Sequence, residues 1–335
     1  MRFLRLARWT GFFLLVAAIL AIGAWCSMAV WYEYKGEELL RSLLTGAAAA
    51  FVLVTVASLA TRRRWLGIGL YSAFVAVFLA WWATISPERD RHWAPDVART
   101  VTATIDGDRV LVSNVRNFAW RSETDFDPIW EQRAYALSHV TDADLIVSYW
   151  MGEAIAHTIV SFGFSDAARL AFSIEIRKES QESFSPIAGF FKQYELAIIA
   201  ADERDVVRLR SNVRGEDVRI YRLRMTPENV QRLLRRYLRE ANDLARRPRF
   251  YNTLTSNCTT LVFDMVRAIH PGLPLDIRIV LSGYLPDYAY DVGGIDTSMP
   301  FEKLRELSRI HDRAAQADTD PNFSARIREG LRLPH

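Results

Sequence analysis

Three long apolar runs without a charged residue occupy the first quarter of the chain, at residues 10–30, 42–60 and 65–85. Each is about as long as the roughly 20 residues that a helix needs to cross a bilayer. The first run is longer than the apolar core of a cleaved signal peptide, and two further runs follow it. We therefore expect residues 1–85 to form a membrane anchor of three transmembrane helices.

Basic residues beside these runs predict how the anchor is oriented. Arg2, Arg5 and Arg8 precede the first run, and three arginines at 62–64 separate the second run from the third. The loop between the first and second runs, YEYKGEELLR, is more acidic than basic. By the positive-inside rule, the N-terminus and the 62–64 loop lie in the cytoplasm, and the main domain after residue 85 lies in the periplasm.

After residue 85, short alternating apolar and polar segments indicate an α+β domain. Two β-branched runs flank Asp106-Gly107-Asp108, which predicts a hairpin at the end of a linker, together residues 86–116. A second hairpin is expected around Asp166, and further strands at residues 144–150, in QYELAIIAA and in VRIYRLRM. Thr226-Pro227 is the cap-then-proline start of a helix.

Three other segments have less regular patterns. DFDPIWEQRAYAL is expected to be loop and short helix, and residues 292–335 to be a charged C-terminal segment, helical or partly loose. The charge-rich stretch DERDVVRLRSNVRGED is more often a solvated charge network than a lipid head-group site. These expectations leave residues 117–291 as the main domain.

The charge balance after residue 85 argues against a nucleic-acid partner. That region has 34 Lys and Arg against 36 Asp and Glu, so the basic excess of the whole chain belongs to the membrane anchor. Scattered histidines and a lone cysteine lack the spacing of a zinc site, and no glycine-rich phosphate loop is present. We therefore expect neither a metal nor a cofactor.

Cys258 is the only cysteine after residue 85; the other, Cys26, lies in the first apolar run. Beyond Cys258 the apolar residues have helical spacing, at Leu261, Val262, Met265, Val266 and Ile269. Ser256 or Asn257 can cap this helix. A cysteine in the first turn is stabilised as a thiolate by the helix dipole and the free N–H groups. The alternative is a buried structural cysteine.

A nucleophilic cysteine needs a base, and His157 is the candidate. It lies on one face of an alternating run with Ile159 and Ser161, and a hairpin centred on Asp166 places it opposite Glu175. A carboxylate there would orient the imidazole and stabilise its protonated form. A register slip of two residues would instead bring Ser173 or Arg177 to that place. The alternative reading is an ordinary cross-strand pair.

Four ordered blocks carry a family resemblance: IAHTIVSFGF, FSIEIRKESQESFSPIAGFFKQYEL, ADERDVVRLR and FYNTLTSNCTT. Together they resemble the Lnb N-terminal periplasmic domain, over about residues 117–291. The resemblance implies a permuted papain-like (NlpC/P60-type) thiol fold with Cys258 as nucleophile and His157 as base. Glu175 as third residue rests mainly on the hairpin register, and we expect Asn257, Tyr251 and Ser161 to contact substrate.

The family's named member is a bacterial lipoprotein N-acyltransferase, whose membrane helices follow the periplasmic domain rather than precede it. The resemblance therefore implies a multi-pass inner-membrane thiol acyltransferase with a phospholipid acyl donor and a lipoprotein acceptor. Two alternatives stay open. One is a cysteine peptidase or amidase of the cell envelope, and the other is a non-catalytic envelope binding or assembly module, in which Cys258→Ser would function normally.

Overall fold

The computed structural model describes the backbone of residues 2–331 and the side chains of residues 6–331. The side chains of Arg2 and Arg5 and the last four residues of the expected C-terminal segment lie outside this range. The chain divides into two compact units. One contains residues 1–87 and the segment Phe184–Gln193, and the other contains Glu88–Ser183 and the residues from Tyr194 onward.

The first unit contains three long helices, α1 Arg2–Glu33, α2 Glu38–Ser58 and α3 Arg64–Thr84. Their most apolar windows have mean hydropathies of 2.4, 1.9 and 1.8, so all three are long and apolar enough to cross a membrane, as predicted. α1 and α2 approach closely where Gly23 faces Val52. Glycine permits this approach, because a side chain at position 23 would overlap the valine. The Tyr71 hydroxyl of α3 donates to the Ile19 carbonyl at 2.8 Å.

The second unit is built on a mixed sheet in the order β1-β2-β9-β8-β7-β6-β10, with β5 also paired to β2. The β2–β9 pair is parallel and the other pairs are antiparallel. Two very short strands, β3 and β4, form a separate ribbon. The strands are β1 Thr102–Asp106, β2 Arg109–Arg116, β3 Ala119–Trp120, β4 Phe126–Asp127, β5 Trp130–Ala136, β6 Val140–Met151, β7 Ile155–Phe164, β8 Arg169–Arg177, β9 Glu195–Ala201 and β10 Asp217–Arg222.

Within the described residues, seven α-helices accompany the sheet: α4 Glu203–Arg208, α5 Pro227–Arg246, α6 Cys258–Arg267, α7 Leu285–Asp291, α8 Phe301–Leu307, α9 His311–Gln316 and α10 Phe323–Arg326. α5 and α6 cover one face, where Leu234 and Tyr237 pack on Phe162 and Phe172 of the hairpin β7–β8. α5 begins with Thr226, whose side chain accepts from the Asn229 N–H, and a proline in the first turn, as predicted.

The opposite face is covered by α4, α9 and α10, and here the expectation for the C-terminal segment was wrong. Its helical character is correct, but it is not a separate charged tail. Ile310, Phe323 and Ile327 are fully buried against the sheet residues Ile146 and Ile159. Residues 310–331 therefore complete the core of the domain.

Two further expectations need correction. The segment DFDPIWEQRAYAL contains β4 and β5 rather than a helix. In the charge-rich stretch, Glu203 and Asp205 are fully buried and Arg210 is 6% exposed, so these charges are not a solvated network. Both predicted hairpins and the mixed α+β class are confirmed. The permuted papain-like topology remains an expectation from the family resemblance.

Candidate active site

The β7–β8 hairpin fixes where His157 lies. The strands pair from Gly163↔Arg169 to Ile159↔Ser173, and the turn between them is closed by the Phe164 N–H donating to the Ala168 carbonyl. Continued by two residues, this register sets His157 opposite Glu175. The structure agrees, with His157 Nε2 at 3.2 Å from Glu175 Oε1. The predicted hairpin register is therefore confirmed.

Ser173 joins this pair, and Arg177 does not. His157 Nε2 is 2.6 Å from Ser173 Oγ, and Ser173 Oγ donates to Glu175 Oε1 at 2.5 Å. Arg177 instead donates to the carbonyls of Val97 and Ala98. Since Nε2 is taken by serine and glutamate, Nδ1 is the ring nitrogen left to face a nucleophile.

Helix α6 begins at Cys258 because Asn257 caps it. Asn257 Oδ1 accepts from the N–H groups of Thr259 and Thr260, both at 2.9 Å, and Thr260 Oγ1 accepts from the Asn257 N–H. Asn257 Nδ2 donates to the Thr253 carbonyl at 2.7 Å. Asn257, expected to bind substrate, is thus a helix cap whose oxygen is fully used.

The thiol lies where the β7–β8 ladder ends. Pairing stops at Ile159↔Ser173, and the neighbouring Thr158 hydroxyl contacts Thr259 Oγ1, next to the thiol, at 3.3 Å. The sulfur contacts Thr259 Oγ1 at 3.8 Å, and His157 lies close enough to lower the pKa of the thiol. Cys258 is 8% exposed. Its backbone N–H is the first of α6 and has no hydrogen-bond acceptor among the described residues.

These contacts favour an ion pair between thiolate and imidazolium. Burial opposes charge on Cys258, but the side chain and charge of His157 and the backbone N–H of Thr158 together lower its pKa. Burial and the charge of Arg210 oppose protonation of His157, but Glu175 and Cys258 raise its pKa above the ordinary value. Shifts in opposite directions are those of an activated nucleophile and its base.

Arg210 supports the carboxylate from behind, and sequence reasoning missed this role. It lies in the π-helical turn Leu209–Val213 that continues α4, and its Nη2 donates to Glu175 Oε1 at 3.1 Å. Its Nη1 lies 3.4 Å from Glu216 Oε2, which also accepts from the Ser148 hydroxyl. Burial would raise the pKa of Glu175, but His157 and Arg210 hold it well below its usual range. Glu175 is therefore ionised at neutral pH.

The two remaining predicted residues differ in position. Tyr251 is half-buried and packs against the core cluster that includes Cys258, and burial and the charge of Cys258 raise the pKa of its hydroxyl. Ser161 is fully buried and donates to Glu203 Oε1 at 2.5 Å. Four residues along β7 separate it from His157, about 13 Å. The expectation that Ser161 contacts substrate is therefore wrong.

Ser161 belongs to a buried ion cluster farther along β7, on the same face of the strand as His157. Arg328 Nη2 is 2.6 Å from Glu203 Oε1, and Arg328 Nε is 2.9 Å from Asp144 Oδ2. Within residues 6–331, no group of three or more His, Cys, Asp or Glu side chains is arranged to hold a metal ion. The reactive groups of the site are the Cys258 thiol, the His157 imidazole and the Glu175 carboxylate.

Comparison with known proteins identifies the domain that carries this site. The family described as the Lnb N-terminal periplasmic domain matches residues 126–283, which include Cys258, His157 and Glu175. The resemblance drawn from the sequence is thereby confirmed. No curated protein and no solved structure matches the chain. A periplasmic domain family and three apolar helices indicate an inner-membrane protein.

Proposed function

Starting from residues 126–283 as an Lnb N-terminal periplasmic domain, we propose that this chain is a membrane-anchored thiol acyltransferase. It acts through a thioester on Cys258 and transfers acyl chains between lipid-linked substrates. The observation that carries the proposal is the Cys258–His157–Glu175 arrangement, in which the pKa of the thiol is lowered and that of the imidazole is raised. A charge-paired thiolate is the form of cysteine that attacks carbonyl carbon.

In the first half-reaction, the Cys258 thiolate attacks the ester carbonyl of a phospholipid acyl chain. The former carbonyl oxygen is negatively charged in the tetrahedral intermediate, and the free N–H of Cys258 donates a hydrogen bond to it. The carbon–oxygen ester bond then breaks, and the departing alkoxide takes the proton of the His157 imidazolium. The products are a Cys258 thioester and a lysophospholipid.

In the second half-reaction, the amine of the acceptor attacks the thioester carbonyl. Neutral His157 takes the proton that the amine loses, and Glu175, at 3.2 Å, stabilises the imidazolium that forms. The carbon–sulfur bond breaks and the thiolate leaves, paired again with His157. The acceptor becomes an amide, and the enzyme returns to its starting state.

Membrane attachment supports lipid-linked substrates. The three apolar helices would hold the domain at the bilayer that contains both a phospholipid donor and a lipoprotein acceptor. The charge asymmetry of the loops supports a cytoplasmic N-terminus and a periplasmic thiol domain. Both substrates are then within reach of a domain that cannot diffuse away.

The test is acyl trapping on full-length protein in lipid nanodiscs. We expect intact mass to show an acyl adduct on Cys258 that hydroxylamine removes. The adduct should be absent in Cys258→Ser and form at least about 100-fold more slowly in His157→Ala, because a base contributes roughly 10²–10⁴. His139→Ala, which changes an exposed histidine, is the matched control and should react normally.

The acceptor decides between transferase and hydrolase. A trapped acyl-enzyme that is discharged by a lipopeptide amine faster than by water supports the transferase. Discharge by water alone would replace it with a hydrolase of the same fold. If no adduct forms and Cys258 alkylates no faster than a free cysteine, the catalytic proposal is wrong and a binding module remains.

A further inference from the structure

The segment between β8 and β9 contains an apolar loop, residues 184–193, which we call the interface loop. It belongs to the same compact unit as the three apolar helices, although it is joined by short connections to two strands of the main sheet. The proposed acyl transfer assigns no role to it. Its contacts and its exposed side chains point to one.

Two residues, Phe191 and Lys192, attach the interface loop to the ends of the apolar helices. The ring of Phe191 stacks on that of Tyr32, next to the last residue of α1, with centroids 5.2 Å apart and planes within 15°. Lys192 Nζ donates to the carbonyls of Trp82 and Ile85, at 2.8 and 3.0 Å. The last carbonyls of a helix lack partners within it, and a cation there complements the helix dipole. The loop is therefore fixed at the level where α1 and α3 end.

Three large apolar side chains of the interface loop are exposed at intervals of three residues. Phe184 and Ile187 are each 49% exposed and Phe190 is 36% exposed, whereas Ala188 and Gly189 between them are buried. The loop thus buries its small residues and presents its large apolar ones. Such a cluster, at a fixed position, is typical of an interaction surface.

The interface loop lies next to the ends of the apolar helices, and this position indicates what covers its exposed side chains. Trp81, in the last turn of α3, is 36% exposed, and tryptophan and tyrosine side chains favour the boundary between lipid head groups and acyl chains. Phe191 and Lys192 hold the loop against this end of α3 and α1. Its exposed apolar side chains then extend a surface that lipid already surrounds.

We propose that the interface loop is a membrane anchor whose Phe184, Ile187 and Phe190 insert into the head-group region of the outer leaflet. Its partner is the phospholipid bilayer. Because the loop connects β8, which carries Glu175, to β9, insertion ties these two strands of the thiol domain to the bilayer surface. The strands are then held to the membrane by a second point besides α3.

Depth-dependent fluorescence quenching tests the proposal on the full chain in phosphatidylcholine–phosphatidylglycerol nanodiscs. In a Cys258→Ser background, Ile187→Cys and Phe190→Cys each receive an environment-sensitive fluorophore, and intact mass confirms a single label. Thr124→Cys, an exposed polar position on the loop between β3 and β4, is the matched control. Labelled variants with the parent's melting temperature are compared with lipids that carry a nitroxide at acyl carbon 5.

We expect the nitroxide lipid to quench labels at 187 and 190 at least about fivefold more strongly than the label at 124, with blue-shifted emission. Labels that aqueous iodide quenches as strongly as the Thr124→Cys label, and that nitroxide lipid does not quench, would overturn the proposal and leave the loop to a protein partner. The background lacks the nucleophile, so the result is independent of whether the acyltransferase proposal holds.

Discussion

Replacing Glu175 by glutamine should weaken the ion pair of the site while keeping its shape. Glutamine has nearly the same volume and still accepts a hydrogen bond, but the negative charge 3.2 Å from His157 Nε2 is lost. At an effective dielectric constant of about 20, two charges at this distance interact by roughly 5 kcal/mol. A hydrogen bond to a charged group contributes about 1.5–3 kcal/mol, and glutamine retains that bond. The substitution therefore removes only about half of the interaction energy.

A loss of about 2–3 kcal/mol lowers the pKa of His157 by about 2 units, since one unit corresponds to about 1.4 kcal/mol. Arg210 lowers the pKa of His157 further in this variant. Its positive charge opposes protonation of the imidazole, and the carboxylate of Glu175 that offset this charge is gone. The thiolate of Cys258 then loses its counter-ion. At pH 7 its reaction with a haloacetamide should slow by about ten- to hundredfold.

Alkylation rates measured by intact mass between pH 5 and pH 9 check this prediction. The unsubstituted protein should react as a thiolate well below the range of a free cysteine, about pH 8.5, whereas Glu175→Gln should shift the profile toward it. Glu216→Gln is the matched control, since Glu216 contacts Arg210 at 3.4 Å without contacting His157. Because its charge acts on His157 only through Arg210, Glu216→Gln should change the rate by less than Glu175→Gln does. A Glu175→Gln profile identical to that of the unsubstituted protein would refute the assignment of Glu175 to the site.

Further predictions concern the helix cap and the buried ion cluster. Asn257→Ala should cost about 1 kcal/mol through the lost cap, and Asn257→Asp should keep the cap but slow alkylation of Cys258, because a carboxylate beside the thiol disfavours the thiolate. Arg328→Met should cost about 3–5 kcal/mol, since Glu203 loses its arginine in a buried site. The contribution of the cluster to thermal stability should be fully present above about pH 5 and decrease on acidification. The reason is that arginines hold the pKa values of Asp144 and Glu203 below their ordinary values, although burial acts to raise them.

Melting temperatures of the full chain in detergent measure the stability effects. The matched control for Arg328→Met is Arg326→Met, which removes an exposed partner of Glu329 and should cost less than about 1 kcal/mol. The sign of the pH effect follows from a lowered folded-state pKa: the stabilisation is present above the unfolded value and is lost as pH falls through the folded one. A melting temperature that is constant from pH 7 to pH 3, or equal losses for the two arginine variants, would contradict the account of the cluster.

The hairpin register could be predicted from sequence because two local signals agree. Residues on both sides of Asp166 alternate between apolar and polar, and the turn between them is short, so the facing pairs follow by counting. The capped start of α6 was equally local, because Asn257 lies directly before the apolar-periodic segment. The candidate nucleophile and its base could therefore be placed without knowledge of the tertiary fold.

Other features depend on contacts that no local pattern contains. β5 lies beside β2 and pairs with no second strand among those described, so its side chains lack the alternation of a half-buried strand. Arg210 lies among charges that resemble a solvated surface, and its burial follows from the π-helical turn that aims it at Glu175. The burial of Ile310 and Phe323 likewise depends on a distant sheet rather than on helical spacing.

The position of Arg328 has a consequence for the order in which the domain assembles. Its carboxylate partners are made 125 and 184 residues earlier, on α4 and β6. Until Arg328 has been synthesised, Glu203 would have to be buried without its cation, which is costly. α4 continues into the turn that carries Arg210, so the support of Glu175 also waits for this late residue. We therefore expect the thiol to become reactive only after synthesis has passed Arg328.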